Sequence, residues 1–504
     1  MSNNPEQNPN QQPTIPTAPP QEKIATPEKE GQVSVQPPKS SAPPPWVGGK
    51  KPAPAAPKKD SSLSVSRVKE PIFKKLIPIL GLLIIGVGIY FLVTKVILPL
   101  LEKQTGGGTS SKKEITLTYW GLWEPETVMK PLIEEYKKTH SNVTINYVQQ
   151  SHKDYRERLQ SALARGEGAD IFRFHNTWLP MLQKDLSPAP EEIAGSFNIE
   201  KDYFPIVAKN LKVDGKLYGI PLEFDSLALY YNTKIFKTAG KGPPETWEEL
   251  RRTALDLTVR DESGRIQIAG VALGTASNID HFSDILGLMM LQNSADLSKP
   301  TGSLAEDALK FYTIFVTSDK VWDENLPNST YAFANEKVAM FFAPSWRAHD
   351  LKAINPNLEF KTVPVPQLPD TKVAWASYWV EGVSTKSKNA KAAWEFLNFL
   401  SSKESLTKFY TSASQVRSFG EPYPRKDMVA NLEDDEIVGA FAKQGSYAES
   451  WYLSSNTWDN GINDKMIKYY QDAVNETLET RNATNALKTA SQGVAQVLSQ
   501  YGIK

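Results

Sequence analysis

Cysteine is absent from all 504 residues. That excludes disulfides, thiolate metal sites and cysteine nucleophiles. Histidine is scarce as well: five scattered copies, with no cysteine to join them, make a poor zinc site. The sequence contains no HExxH, no Walker A glycine loop, no G-x-S-x-G elbow and no dinucleotide glycine fingerprint. A catalytic carboxylate pair of the glycosidase kind has no local signature, so these absences leave it open. The reading is therefore a non-enzyme with no cofactor and no metal. An excess of positive charge is missing too: 57 Lys and Arg balance 57 Asp and Glu, which gives no argument for a nucleic-acid partner.

The zero net charge hides an asymmetry. Residues 1–75 hold eleven Lys or Arg against six Asp or Glu, a balance of +5 that the remainder cancels. Residues 1–73 are poor in large apolar side chains and hold 16 of the 36 prolines. Such a composition cannot bury enough apolar surface to offset its ordering entropy, so it reads as a disordered, partly polyproline-II tail. Leu76 to Thr94 is an apolar run without a charge, and apolar residues continue past Lys95 to Leu101. At about 1.5 Å per residue the segment 74–101 is long enough to span a bilayer. A cleaved signal peptide is the competing reading, but it does not fit a run preceded by seventy residues and followed by no small-residue cleavage site. Arg67, Lys69, Lys74 and Lys75 outweigh the cations that follow, which places the tail in the cytoplasm and the remainder outside the cell. Residues 102–113, centred on three glycines, form a linker.

From residue 114 onward strands alternate with helices. Ile115–Trp120, Val143–Val148 and Ala169–Phe174 read as strands. Amphipathic helices lie between them, the first with Pro131 in its opening turn. This order predicts right-handed βαβ units and a parallel sheet, with ligands beyond the carboxyl ends of the strands. Two loops follow those ends, one with Trp123 and Glu124, the other with His175, Asn176 and Trp178. Asp214-Gly215 opens a second signal: two strand-like halves, Leu217–Leu222 and Leu227–Tyr231, with Glu223 and Asp225 between them. Charge amid apolar strands needs a reason, because unpaired buried carboxylates are costly. One reason is a hairpin whose charges face water. The other is a crossover between two lobes with Asp225 in a cleft, meeting a cluster of hydroxyls. Further on, Thr246 and Glu249 fit a capping box, Phe360–Pro366 reads as a strand, and the chain ends in two helices.

The segment Gly215–Phe236, GKLYGIP…D…ALYYN…IF, resembles the domain-crossing region of extracellular solute-binding proteins of the maltodextrin-binding type, the receptors of ABC sugar importers. The likeness extends through ITLTYWG (115–121), GADIF (168–172), PPETWEEL (243–250) and SKNAKAAWEFLNFL (387–400). Tyr331–Trp346 is similar to the family's F…GK-AM…G-W segment but departs from it at Glu336, where glycine is usual, and at Ala343. The resemblance implies an α/β, two-lobed periplasmic-binding-protein-like fold of type II in residues 114–504. The first lobe would hold about 114–222 and 384–432, the second about 228–378 and 437–504, with crossovers near 223–226, 378–383 and 432–437. Many bacterial members are held at the surface by a lipidated cysteine; without one, the apolar segment 74–101 supplies the tether.

Of the twelve tryptophans, eleven lie after residue 119. Trp and Tyr cover the apolar faces of a sugar ring, and carboxylates, amides and guanidinium groups bind its hydroxyl rim. Trp247 and Trp394 sit on helix stripes and read as core. Trp123, Trp178, Trp346 and Trp379 flank loops or crossovers and read equally as core or ligand contacts. Arg347, Tyr378, Asn278 and His281 complete the candidates, the last two on a loop that would line the cleft from the second lobe; Arg347 reads equally as a surface residue. The ligand expected is a neutral sugar or oligosaccharide, since aromatic and acidic contacts are present and no basic cluster awaits a phosphate. The expected partners are ABC permease subunits and, through one helix, the membrane, with the protein itself a monomer. A surface carbohydrate-binding adhesin or sensor without transport is the alternative, kept open by the cytoplasmic tail.

Overall fold

The computed structural model describes residues 113–503 and, apart from them, Lys95. The proline-rich tail, the apolar segment 74–101 and nearly all of the linker lie outside the described residues. Among those described, no helix is long and apolar enough to cross a membrane.

The chain opens with strand β1 (Ile115–Gly121), helix α1 (Glu126–Thr139), β2 (Val143–Gln149), α2 (Tyr155–Arg165) and β3 (Ile171–His175), followed by the short β4 (Leu186–Ser187). Leu117 and Tyr119 of β1 are buried while their neighbours are not, the alternation of a half-covered strand. β1 pairs in parallel with β2 and β3. Pro131 corrects one expectation: α1 already starts at Glu126, so the proline stands inside the helix. It is tolerated on the exposed face, where water reaches the carbonyl that loses its amide partner.

The segment Leu217–Leu222 is not a strand. Lys212–Val213 and Lys216–Leu217 form a small hairpin around Asp214-Gly215, both with positive φ, the geometry of a two-residue turn. Beyond it Ile220 makes one isolated bridge to Glu381, and Pro221, lacking an amide hydrogen, ends the pairing.

Strand β5 (Ala228–Asn232) starts a second sheet. It continues with α3 (Trp247–Leu257), β6 (Val259–Arg260), β7 (Ile266–Val271), α4 (Phe282–Gln292), α5 (Ser303–Thr317), β8 (Val338–Ala343), α6 (Arg347–Ile354) and β9 (Phe360–Val363). β9 stops short of the expected Pro366 because Pro364 and Pro366 cannot donate to a ladder. Then come β10 (Ala374–Trp375), β11 (Trp379–Ser384), α7 (Ala390–Leu400), α8 (Lys403–Ser414), β12 (Ala448–Glu449), α9 (Ile462–Thr480) and α10 (Ala483–Gln500). The first sheet has the order β2-β1-β3-β11-β4 and the second β9-β5-β8-β7-β6; β10 and β12 pair separately. The chain leaves the first sheet before β5 and re-enters it at β11. It then reaches the second again where Glu436 and Ile437 accept hydrogen bonds from Thr362 of β9.

The capping box of α3 forms, with Thr246 accepting from the amide of Glu249 and Glu249 from the amide of Thr246. Trp247 and Trp394 are buried in the core. Glu336 keeps the turn that glycine usually makes, at a φ of 56°.

Charge lies at the centre of the first sheet. Arg173 on β3 is 1% exposed and binds Glu124 at 2.6 Å and Glu381 of β11 at 2.6 and 2.9 Å. Tyr119 of β1 donates to the same Glu381 oxygen at 2.8 Å. Three strands and the loop after β1 are thus tied through one guanidinium. Breaking a buried pair strands the remaining charges, at a cost of about 3–5 kcal/mol. Arg173→Met is expected to lower the unfolding free energy in urea by about that amount. A loss within the range of an exposed pair, below about 1 kcal/mol, would show that the cluster does not anchor the sheet.

Candidate functional site

The two sheets bound a cavity of about 340 Å³. Its wall is built from strand ends and crossovers. β1 leads to Trp123, β3 ends in His175, β11 starts with Trp379, and Pro344 and Trp346 follow β8. Glu223, Asp225 and Leu227 of the crossover form another side, with Asp284 of α4, His349 and Asp350 of α6, and the loop Ser455–Trp458 around the rest. Five tryptophans line it: Trp123, Trp346, Trp375, Trp379 and Trp458. Trp379 meets Trp123 edge-on at 5.6 Å, and His175 and Trp178 brace it edge-on at 5.2 and 5.3 Å.

The loop carrying Trp123 is set by glycine. A Cβ at Gly121 would lie 2.2 Å from the Tyr147 hydroxyl; without one, that hydroxyl donates to the Glu124 carbonyl at 2.7 Å. Asp225 pins the crossover to the second sheet. Its carboxylate accepts from the Ser345 amide at 3.0 Å, the Ser345 hydroxyl at 2.8 Å and the Ser226 amide at 2.8 Å. Asp284 accepts from Trp375 Nε1 at 2.9 Å and from the Ser455 amide at 3.1 Å, tying α4 to the late loop.

Two of the three cleft histidines, His175 and His281, have a fixed tautomer. Arg347 Nε can only donate, so His281 Nε2 accepts at 3.1 Å and its Nδ1–H donates to Ser455 Oγ at 2.8 Å. At His175 the Thr177 amide and hydroxyl serve Nδ1, at 3.4 and 2.7 Å, leaving Nε2–H to donate to Ser377 Oγ at 3.0 Å. Burial holds both imidazoles neutral, down at about 3.

Behind the tryptophans lies a carboxyl relay. Glu421 pairs with Arg417 and shares hydrogen bonds with the carboxyls of Glu223 and Glu124. Burial opposes its charge, yet Arg417 and those two hydrogen bonds hold it ionised, down at about 2. Burial pushes Glu124 up to about 7 against the pull of Arg173, and burial together with Glu421 pushes Glu223 well up. Of these acids Glu223 is the one held protonated beside the Glu421 carboxylate. Among the described residues no group of His, Asp and Glu is arranged to hold a metal ion.

Of the twelve candidates read from sequence, Trp123, His175, Asp225, His281, Trp346 and Trp379 line the cavity. The other six stand behind it. Glu124 is taken up by Arg173. Asn176 donates to Asn210 and Ser450 and accepts from the Tyr378 amide, while Tyr378 is buried with its hydroxyl on Asn210. Trp178 is 1% exposed. Asn278 accepts from Trp322 and donates to the carbonyls of Asp323 and Leu326. Arg347 pairs with Asp350 at 2.8 Å and lies 4.3 Å over the Trp346 ring. Trp178 packs in the core with its indole N–H unpartnered, and the other five serve polar groups of the scaffold, a demand set by folded neighbours rather than by local sequence.

The site list from sequence also lacks Glu223, Asp284, Trp375 and Trp458. For Trp458 a local signal exists, the Asn-Thr-Trp-Asp-Asn run. Asn456, Trp458 and Asn460 all have positive φ, 56°, 47° and 43°. That is unusual for a residue as bulky as Trp. Asp459, fully buried, holds the bend by accepting from the Gly461 amide at 2.8 Å and from Asn463 Nδ2 at 2.9 Å. The bend sets Trp458 against His152 at 4.6 Å and Trp123 at 6.0 Å.

Burial also pushes Asp225 up to about 7 and Asp284 up to about 6. Raised carboxyls keep a proton in the folded state that the unfolded chain has lost, so their contribution to stability grows as pH falls from about 7 towards 4. The neutral histidines act oppositely: His175 and His281 cost stability as pH falls from 6.5 towards about 3, and His349 as it falls towards about 4. Below about pH 4 only the losses remain, and the unfolding temperature is expected to fall steeply there. Asp225→Asn removes one raised carboxyl, so the variant should gain less than the wild type in thermal unfolding between about pH 7.5 and 5. Parallel profiles for the two proteins would show that Asp225 takes up no proton in that interval.

A family model for bacterial extracellular solute-binding protein matches residues 131–435, more than half of the chain. The multiple sugar-binding protein of Streptococcus mutans is 24% identical over 338 residues, covering 63% of this chain and 78% of the relative. A putative binding protein of Brucella abortus is 27% identical over 300 residues, covering 55% of this chain and 70% of the relative. The sugar-binding protein MalE of Xanthomonas citri has a similar fold, with a TM-score of 0.63 at 20% identity over 76% of this chain and 98% of that one. The two sheets facing one cavity are the two lobes of that periplasmic-binding-protein-like fold, and the chain belongs to the bacterial extracellular solute-binding protein family.

Proposed function

We propose that this protein captures a sugar in the tryptophan-lined cleft and delivers it to an ABC-type permease, held at the cell surface by the apolar segment 74–101. The observation that carries the reading is the wall itself. Four tryptophans, Trp123, Trp346, Trp379 and Trp458, offer aromatic surface in front of the fully buried Trp375, and acids and hydroxyls from both lobes offer hydrogen bonds, the two kinds of contact a pyranose needs. The relatives, a multiple sugar-binding protein and a sugar-binding MalE among them, favour the same ligand class. A volume of about 340 Å³ lies at the small end of ligand pockets, roughly 300–1,000 Å³, which favours a short sugar over a long oligomer.

Closure would follow from contacts that ligand makes with both lobes at once. Trp123, His175 and Trp379 belong to the first; His281, Trp346 and Asp350 belong to the second. A ligand that touched only one of them could not shift the equilibrium between open and closed forms. Asp225, fixed to Ser345, sits where the first crossover enters the second lobe and would carry that motion.

A panel of mono- and oligosaccharides, neutral and charged, offered to the full-length chain is expected to yield at least one ligand that raises the unfolding temperature and shifts tryptophan emission. At a hundredfold excess over Kd the stabilisation is about 2.7 kcal/mol. Trp379→Ala and Trp346→Ala are each expected to weaken that ligand about tenfold or more. No response to any sugar would overturn the carbohydrate reading.

A further inference from the structure

Among the described residues that line the cavity, Arg417 is the one lysine or arginine, and its guanidinium is only partly used. Nε donates to the Phe419 carbonyl at 3.1 Å, and Nη2 donates to Glu421. Nη1, with its two N–H bonds, has no hydrogen-bond partner among the described residues, and solvent reaches it. The neighbouring guanidinium groups are taken. Arg173 commits all three nitrogens to Glu124 and Glu381, and Arg347 serves His281 and Asp350. The turn that carries Arg417 is fixed from several sides. The Arg417 amide donates to the Ala413 carbonyl at 3.2 Å, at the end of α8. A Cβ at Gly420 would lie 2.2 Å from the Tyr410 carbonyl oxygen, so the turn lies flush on that helix. Phe419 packs on His349 of α6, with ring centroids 4.2 Å apart.

A guanidinium held by two of its nitrogens has lost its rotamer freedom before any ligand arrives, so a hydrogen bond from the third needs little further ordering. Charged donors also make strong hydrogen bonds. An anionic group is a poor match here: Glu421 already balances Arg417, and Glu223, Asp225, Asp284 and Asp350 share the wall. What fits is an uncharged oxygen acceptor, and on a sugar those are chiefly hydroxyls. We propose that Arg417 is the specificity-determining residue of this cleft, donating both Nη1 N–H bonds to the oxygens of two adjacent hydroxyls on a neutral sugar. The inference rests on the carbohydrate reading above and adds to it the polar contact that tells one sugar from another. The tryptophans do not make that choice, since the apolar ring faces they cover are shared by many sugars. A donor fixed in place does make it: an analogue without the matching hydroxyl covers the guanidinium and leaves it unpaired.

The test is calorimetric titration of the full-length chain, as wild type, Arg417→Lys and Arg417→Gln, with every mono- or oligosaccharide that binds the wild type. Lysine keeps the charge that balances Glu421 but lacks the planar fork. Both variants are expected to bind about tenfold or more weakly. Glucose, galactose, mannose, maltose and cellobiose are also compared with their monodeoxy derivatives. In the wild type, removal of either of two neighbouring hydroxyls should weaken binding about tenfold or more, and in Arg417→Lys the same derivatives should bind as well as their parents. Wild-type affinity in Arg417→Lys, or a preference for the parent sugars that persists in it, overturns the proposal and leaves the carbohydrate reading standing. Tighter binding of glucuronate than glucose, or of galacturonate than galactose, does the same, because Arg417 would then receive an anion. Should neither variant fold, the deoxy series on the wild type still decides: indifference to every deoxygenation overturns the proposal. No binding by any sugar overturns both.

Discussion

One buried guanidinium sets the geometry on which the site depends. Arg173 stands on β3 between Glu124 of the loop after β1 and Glu381 of β11. The residues that reach the cavity are near neighbours of these three along the chain: Trp123 next to Glu124, His175 two beyond Arg173, and Trp379 two before Glu381. β11 runs antiparallel to β3 with Arg173 opposite Glu381 and His175 opposite Trp379. The register that forms the ion pair therefore also fixes the imidazole against the indole. A slip of one residue would turn every one of these side chains to the other face.

The cluster continues towards the cleft. Glu124 meets Glu421 as well as Arg173, and Glu421 meets Glu223 and Arg417. Four carboxyls share two guanidiniums, and the network eases its charge by keeping a proton on Glu223. The arrangement gives the cavity a rigid acidic floor without requiring every acid to be ionised. It also explains why Glu223, the first carboxylate of the crossover, faces inward: its partners come from the segment 417–421, about two hundred residues later.

The parts of this architecture legible in the sequence were those with local causes. β1 could be read from alternation, α1 and α2 from apolar stripes, and the cap of α3 from Thr246 and Glu249, because each signal lies within a few residues. Asp225 stood out as a carboxylate among strand residues that needed a partner. What could not be read were the partners themselves. Asn278 and Trp178 carry the same chemistry as true cleft residues, and only the fold reveals that Trp322 and the first-lobe core use them up. Trp375 looked like one more aromatic in a run of three, whereas its indole N–H is committed to Asp284, ninety-one residues away. Leu217–Leu222 had the composition of a strand but met a proline at the point where pairing would have continued.

The loop Ser455–Asn460 shows how such a site is completed at a cost in local conformation. Backbone strain of the kind seen at Trp458 persists only where surrounding contacts over-determine it. Here Asp459 supplies them from below through Gly461 and Asn463, and Asn463 in turn donates to Thr177, whose hydroxyl serves His175. A single chain of hydrogen bonds thus joins the strained loop before α9 to the imidazole at the end of β3. Thr457, between Asn456 and Trp458, is the member of that loop whose hydroxyl this chain leaves without a partner. The strain at Trp458 is thus held from behind the wall, and those contacts place the indole that the loop presents to the cavity.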